Sequence, residues 1–174
     1  RDVEKNMTAE FKVVRAGADR MPEGRIQFVQ HFTPGAIWQP KYLVHPNGVV
    51  KLACVFVVAE DPVETAARWA HFSALLPRQV GSTAGAYVHL AASRGHVLVG
   101  RWDSWTALLG DAPVPPALAG YALECRDPDL LVSRCRMLGL PLRIIRDGLY
   151  AVALPAALGG SWIFGSRTSL GLPS

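Results

Sequence analysis

The sequence predicts an α+β fold in which a β-α-β-β(-β) unit occurs twice. The first observation is an internal repeat, since Leu52 precedes Asp61 by nine residues and Leu118 precedes Asp127 by nine residues. The two copies are offset by 66 residues, which exceeds the period of solenoid repeats and suits a supersecondary module used twice. The second observation is the order within each copy: an apolar run of strand type, then helix-start signals, then further strand-like runs.

The first predicted element is a β-hairpin upstream of the repeat. EFKVVRAG (10–17) and RIQFVQHF (25–32) are strand-like runs, and a Pro-Glu-Gly turn lies between them. No helix is predicted beside them, so we interpret them as the last two strands of a further module. Because the chain starts without an initiator methionine, we expect the first half of that module to lie upstream. Residues 1–49 are therefore predicted to be a strand hairpin and a linker, the remnant of that module.

The first complete module is predicted over residues 50–116, including the linker that follows it. Its apolar opening run leads to Asp61, whose side chain can accept hydrogen bonds from the free N–H groups of a first helical turn. Pro62 suits the first helical position, and Glu64 completes a sequence similar to a capping box. The remaining elements are strands at 84–92 and 95–101, and a linker at 102–117 with a short helical turn at 105–109.

The second module is predicted over residues 117–174 and repeats this pattern. Asp127 and Pro128 again mark the start of a helix. Gly139 and Pro141 predict where that helix ends. The strands expected after the helix lie at 141–145, 148–154 and 161–165.

Composition and charge narrow the class of protein. The chain has 174 residues, half of them hydrophobic, so it can bury the core of one domain or two small ones. Its net charge of +4 comes from singly scattered Arg and Lys residues, which argues against nucleic-acid or membrane partners. No apolar stretch reaches the roughly 18 residues of a membrane span. Cys54, Cys125 and Cys135 show no paired spacing, so reduced thiols in a cytoplasmic protein are expected.

The tandem unit, with an Asp-Pro start to each helix, resembles the vicinal oxygen chelate superfamily of glyoxalase I, extradiol dioxygenases and bleomycin-resistance proteins. The resemblance covers about residues 50–165. The motifs His31-Phe-Thr-Pro, Trp38 and His45-Pro-Asn-Gly resemble more narrowly the glyoxalase-like domain proteins of bacteria. The resemblance implies tandem βαβββ modules that form a curved, cup-like mixed sheet. The helices would pack outside this sheet, and the ligand would lie inside the cup.

The resemblance also implies a divalent metal, held by a His or Gln on the first strand of a module and a Glu on its last strand. The first-strand positions fall on Cys54 and Gly120, and neither final strand carries a carboxylate. The usual ligand set is therefore absent from both modules, and we assign no cofactor, with a divalent metal as the open alternative. His31 and His45 are weak metal candidates. Each also suits a structural role, as a strand-end histidine or in a hydrogen bond that holds a loop.

Candidate ligand-binding residues follow from strand alternation. His89 alternates with Tyr87 on one face of a strand, so both can point into the cup. Cys54 and Phe56 on the first strand and Trp162 or Phe164 on the last would complete a mostly aromatic pocket. The alternative for this set is a filled core. No catalytic residue is assigned, because Cys54 as a nucleophile would need a neighbouring base and a lowered pKa.

Two functions remain open from the sequence. The first is a glyoxalase-like domain that binds a small molecule in the cup without the standard metal set. The second is a metal-dependent lyase, isomerase or dioxygenase that acts on a small oxygenated metabolite. A homodimer is also expected, because the hairpin would expose strand edges and the apolar residues Phe11, Val13, Ile26 and Phe28.

Overall fold

The computed structural model describes residues 8–82 and 85–172. A two-stranded antiparallel sheet of β1 (Phe11–Arg15) and β2 (Gln27–His31) comes first, as the predicted hairpin. Two short turns of helix follow, α1 (Pro34–Ile37) and a 3-10 turn at Pro40–Tyr42. The later elements are β3 (Val49–Val58), α2 (Pro62–Ser73), β4 (Pro77–Ser82), β5 (Gly85–Ala92), β6 (Gly95–Gly100), α3 (Trp102–Leu109), β7 (Ala117–Cys125), α4 (Pro128–Met137), β8 (Leu142–Arg146), β9 (Leu149–Ala153), β10 (Ser161–Gly165) and α5 (Arg167–Leu170).

The large sheet has eight strands in the order β4-β5-β6-β3-β7-β10-β9-β8. Strand β3 pairs in parallel with β6, and β7 pairs in parallel with β10, while the outer strands of each half form antiparallel meanders. The two halves meet where β3 pairs antiparallel with β7. Each half is thus a βαβββ unit, and the predicted α+β fold, a curved mixed sheet with the repeat helices α2 and α4 packed outside it, is confirmed.

The two repeat helices begin where the Asp-Pro signals predict. The carboxylate of Asp61 accepts hydrogen bonds from the backbone N–H groups of Val63 and Glu64, both at 3.0 Å. The carboxylate of Asp127 accepts one from the N–H of Asp129 at 3.0 Å. These bonds satisfy N–H groups that have no partner within the first turn of a helix. The same local chemistry therefore starts α2 and α4, 66 residues apart.

The repeat helices cover one face of the sheet, and α3 covers part of the other. Helix α2 packs Ala66 and Trp69 against the first half, and α4 packs Leu131 and Cys135 against the second. Helix α3 places the fully buried Trp105 on the opposite, concave face. The outer face therefore contains the helix-packed cores, and the concave face is left for a cavity.

The hairpin is attached to α2 by aromatic and charged contacts. The rings of Phe28 and Phe72 stack at 4.9 Å. In the loop between β1 and β2, the buried carboxylate of Glu23 accepts hydrogen bonds from Arg68 at 2.5 Å and from Trp69 at 3.2 Å. The hairpin is thus held against the first module, although it belongs to a separate sheet.

Strand β4, helix α3 and the start of strand β5 differ from the prediction. Strand β4 was absent from the sequence prediction because PRQVGS has little apolar character; its pairing with β5 makes it a strand. Helix α3 spans two full turns, where the sequence indicated a short turn at 105–109. The strand predicted from residue 84 begins at Gly85 among the described residues, and residue 84 itself lies outside them.

Within the described residues, no helix has both the length and the apolar character needed to cross a membrane.

Candidate functional site

A cavity of about 450 Å³ lies on the concave face of the sheet, between its two halves. Its walls come from strands of both βαβββ units and from the segment that follows β10. Six of the wall residues are Phe56, Tyr87 and Leu98 from the first unit and Ala122, Leu149 and Ile163 from the second. The cavity is therefore shared between the two units, and it has the size of a small-molecule site.

The first wall of the cavity is aromatic and is fixed from behind by Trp105. The ring centroid of Trp105 lies 4.8 Å from that of Phe56 and 4.7 Å from that of Tyr87. Its indole Nε1 donates a hydrogen bond of 2.7 Å to the carbonyl oxygen of Val57. A side chain at position 100 would collide with the Tyr87 ring, so Gly100 leaves space for this stack. Buried aromatic packing and a backbone hydrogen bond thus hold the wall in place.

The phenol of Tyr87 is neutral at physiological pH. Its hydroxyl donates to the carbonyl of Ser104 at 3.0 Å. Burial raises the pKa of Tyr87 to about 12, and the negative charge of Asp103 acts in the same direction. Tyr87 therefore presents its ring to the cavity and adds no charge.

A pair of histidines lies on the same face of the sheet as the aromatic wall. His89 is buried, and its Nε2 faces Nδ1 of His96 at 2.8 Å, so one ring donates a proton and the other accepts it. Burial lowers the pKa of both rings. The charges of His96 and Arg78 lower the pKa of His89 further, and the charge of Lys51 lowers the pKa of His96 further. The sequence prediction includes His89 and omits His96. The alternation of His96 with Leu98 along β6 was the signal that could have included it.

Cys54 lies beside this pair and does not line the main cavity. It pairs in register with His96 across β3 and β6, and the two residues line a smaller hollow of about 190 Å³. Burial raises the pKa of the Cys54 thiol to about 12, against a weaker opposing effect of backbone hydrogen bonds. The thiol is therefore protonated at neutral pH and is a poor nucleophile.

Trp162 lies on the face of β10 opposite the cavity. Its ring centroid is 5.3 Å from that of Phe164, and Trp162 packs in the cluster that α4 covers. Ile163 lines the cavity in its place. Because successive side chains of a strand point to opposite faces, a shift of one residue exchanges the cavity side for the helix side. Of the five predicted cup residues, Phe56 and Tyr87 line the cavity.

His31 and His45 lie away from the cavity. His31 ends β2, where its ring is 6.4 Å from that of Phe11 and 6.2 Å from that of Trp38. Its Nδ1 is buried, and no described residue forms a hydrogen bond with it. His45 is exposed in the turn before β3, and its carbonyl accepts a hydrogen bond from the N–H of Gly48 at 3.1 Å.

The described residues do not fit the metal ligand set that the superfamily resemblance implies. Across residues 8–82 and 85–172, no group of three or more His, Cys, Asp or Glu side chains is arranged to hold a metal ion. The sheet centre, where the first strands of the two modules meet, pairs Cys54 with Ala122 and Phe56 with Gly120. Apolar residues and glycine thus occupy the positions where the resemblance implies nitrogen and oxygen ligands.

Comparison with known proteins supports the fold class. No family model matches the sequence, and no curated protein matches it. Solved structures do match it. The structure of methylmalonyl-CoA epimerase from Mycobacterium tuberculosis has a TM-score of 0.54 and 14% identity, and the match covers 74% of this chain and 95% of that chain.

A second solved structure is a hypothetical protein from Bacillus halodurans C-125. Its TM-score is 0.50 and its identity is 8%, and the match covers 67% of this chain and 94% of that chain. At such identities the likeness concerns the fold alone. The chain therefore shares the fold of these solved structures.

Proposed function

We propose that the chain binds a small, largely apolar molecule in the cavity between its two βαβββ units, without the metal set of the superfamily's enzymes. The observation that carries the proposal is the character of the wall. Phe56, Tyr87, Leu98 and Ile163 supply aromatic and aliphatic surface around about 450 Å³. Apolar pockets of this size with few polar groups are typical of small-molecule sites.

Burial of apolar ligand surface would supply the affinity. A buried methylene contributes ~0.8 kcal/mol, so an eight-carbon chain gains about 6 kcal/mol before the cost of immobilising it. When about 4–5.5 kcal/mol remains after that cost, the dissociation constant of a simple probe is about 0.1–1 mM. A natural ligand that fills more of the cavity would bind more tightly.

A matched pair of glycine variants tests the proposal with 1-octanol as the probe. Gly81 lines the cavity, and no atom lies within 4 Å of the position that its Cβ would take; the same open space surrounds Gly35 in α1. We expect Gly81→Trp to abolish the octanol heat in isothermal titration calorimetry, because its ring would occupy the cavity mouth. Gly35→Trp should bind octanol as the wild type does. Equal binding by both variants, or none by the wild type, would overturn the proposal.

The alternative is a metal-dependent lyase, isomerase or dioxygenase, and one observation favours it. The facing nitrogens of His89 and His96 are imidazole donors of the kind that borderline divalent metals bind. Metal content after purification without chelator, with the melting temperature before and after EDTA, separates the two functions. Near-stoichiometric metal that His89→Ala removes would support the enzyme, whereas metal-free protein indifferent to EDTA would support the binding module.

We also propose that the chain forms a homodimer through the β1–β2 hairpin. Phe11 is 57% exposed, and Phe28 is 49% exposed despite its stack on Phe72. Such apolar surface on a two-stranded sheet with free edges favours pairing with a second copy. Light scattering after size exclusion should show a dimer that Phe11→Asp converts to monomer. Val114→Asp, at an exposed position of the linker after α3, serves as the control, and a wild-type monomer would refute the proposal.

The cysteines support the proposal of a reducing, cytoplasmic location. Cys54, Cys125 and Cys135 are all buried and unpaired. Burial raises the pKa of each thiol, that of Cys125 to about 11. When the protein is extracted and denatured in the presence of a thiol-alkylating reagent, all three cysteines should be alkylated. A disulfide in that extract would contradict this location.

A further inference from the structure

Arg146 is the one charged side chain that lines the cavity in the part of the chain that the structure describes. The hydroxyl of Tyr87, the other polar side-chain group of the wall, already donates to the carbonyl of Ser104 at 3.0 Å. A ligand in this cavity therefore meets mainly apolar side chains and a positive charge at one place.

A break in strand regularity directs Arg146 towards the cavity. The pairing of β8 with β9 shifts register between Ile144 and Arg146, so Ile145 is an extra residue on the β8 side. As a result two consecutive side chains, Ile145 and Arg146, line the same cavity. Regular alternation would send one of them to the other face. Bulges next to functional sites commonly re-aim a side chain in this way.

The guanidinium of Arg146 is positioned by the segment that follows β10. Its Nη2 donates to the carbonyl oxygen of Ser169 in α5 at 2.9 Å. A Cβ at position 171 would lie 3.0 Å from the same nitrogen, so Gly171 gives the guanidinium its space. Arginine has five N–H donors, and the bond to Ser169 uses one of them. Among the described residues, no carboxylate lies within ion-pair distance of Arg146.

We propose that the ligand of this cavity is a small carboxylic acid with an apolar body, whose carboxylate pairs with Arg146. The inference rests on the cavity-binding function proposed above and specifies its ligand class. The apolar wall of Phe56, Leu98 and Ile163 takes the hydrocarbon or aryl body, and the guanidinium takes the anion. A planar guanidinium matches a carboxylate with two parallel hydrogen bonds. A cationic ligand is disfavoured, because the wall would place it beside a like charge.

Octanoate and 1-octanol form the test, because they share a chain length and differ in charge at neutral pH. Isothermal titration calorimetry at low salt should show octanoate binding about fivefold more tightly than octanol to the wild type, the range of a partly exposed charge-assisted pair. Arg146→Gln should bring the ratio of the two affinities to about one. Arg146→Lys should retain part of the preference, because lysine keeps the positive charge but cannot make the two parallel hydrogen bonds of a guanidinium.

Arg136→Gln is the control variant, since Arg136 is exposed near the end of α4 and does not line the cavity. It should keep the full preference for octanoate. Melting curves of each variant show that a lost preference does not come from unfolding.

The outcomes separate this inference from the function on which it rests. Octanol binding that Gly81→Trp abolishes, with no preference for octanoate, would overturn the carboxylate inference and leave the apolar cavity standing. A preference that persists in Arg146→Gln would overturn the role of this arginine. No binding of either probe to the wild type would overturn both proposals.

Discussion

The contact between Glu23 and Arg68 offers the sharpest test of how the hairpin is held to the first module. The side chain of Glu23 is 1% exposed and that of Arg68 is 25% exposed. The carboxylate accepts hydrogen bonds from both terminal nitrogens of Arg68, at 2.5 and 3.1 Å, and from the indole of Trp69 at 3.2 Å. Glu23→Gln keeps the shape and one acceptor oxygen, but it removes the charge that compensates Arg68.

Removal of one partner from a fully buried ion pair destabilises a protein by about 3–5 kcal/mol. Arg68 keeps a quarter of its side chain in solvent and contacts a second carboxylate, that of Glu64, at 3.3 Å. Solvent therefore screens part of the loss, and we expect Glu23→Gln to lower the free energy of unfolding by ~2–3 kcal/mol. For a chain of this length that corresponds to a melting temperature lower by ~5–10 °C.

Glu64→Gln is the matched control, because both carboxylates contact the same guanidinium and only Glu23 is buried. The side chain of Glu64 is 61% exposed, so its loss should change stability by no more than ~0.5 kcal/mol. Denaturant unfolding of the three proteins checks both values. Equal effects of the two variants would refute the argument that burial makes the Glu23 contact strong.

The pH dependence gives an independent check on Glu23. Burial by itself raises the pKa of this carboxyl, but hydrogen bonds from Arg68, its own backbone and Trp69, with the charge of Arg68, outweigh burial and lower the pKa below its ordinary value of 4.5. The stabilisation is then fully present above pH 4.5 and is lost as the pH falls through the lowered pKa. The gap between wild type and Glu23→Gln should therefore close in acid. A gap that stays constant would contradict this linkage.

Two further predictions concern the sheet. Gly120 has φ +151°, and a Cβ there would collide with the backbone carbonyl of Ser161, so Gly120→Ala should lower the free energy of unfolding by about 3 kcal/mol or more. Gly35→Ala, which meets open space, should stay within about 0.5 kcal/mol of the wild type in the same denaturant titration. The lowered pKa values of His89 and His96 mean that the unfolded chain binds protons that the folded chain does not. Stability should therefore fall as the pH drops below about 6.5, and His96→Gln should make that fall shallower in melting curves measured across the range.

Either sheet prediction can be contradicted directly. A Gly120→Ala protein as stable as the Gly35→Ala control would mean that β7 and β10 approach one another less closely than the structure shows. A pH profile unchanged by His96→Gln would mean that the histidine pair does not titrate with folding.

Local chemistry made the elements of the repeat predictable. Asp61 and Asp127 each precede a proline, and both signals act within one helical turn. The hairpin could be predicted for the same reason, because its two strand-like runs flank a short turn. The presence of two βαβββ units could also be predicted, because the repeat is visible in the sequence. Strand β4 could not be predicted in this way, because its own residues carry little strand signal and its neighbour β5 supplies the hydrogen bonds.

The candidate site was predictable only in part, for a similar reason. Alternation along β3 and β5 placed Phe56 and Tyr87 on the cavity side, where they lie. The same argument chose Trp162 over Ile163, because alternation defines two faces of β10 and does not say which one α4 covers.

The sequence by itself determined where the helices begin, that the module occurs twice, and which residues alternate on a strand, because these depend on neighbours along the chain. Only the tertiary structure decided which face of each strand is the cavity side, and that Trp105 supports the aromatic wall. It also decided the bulge that brings Arg146 to the cavity wall and the hydrogen bond between His89 and His96. Each of these depends on strand register and on contacts between segments distant in sequence, and a shift of one residue reverses the outcome.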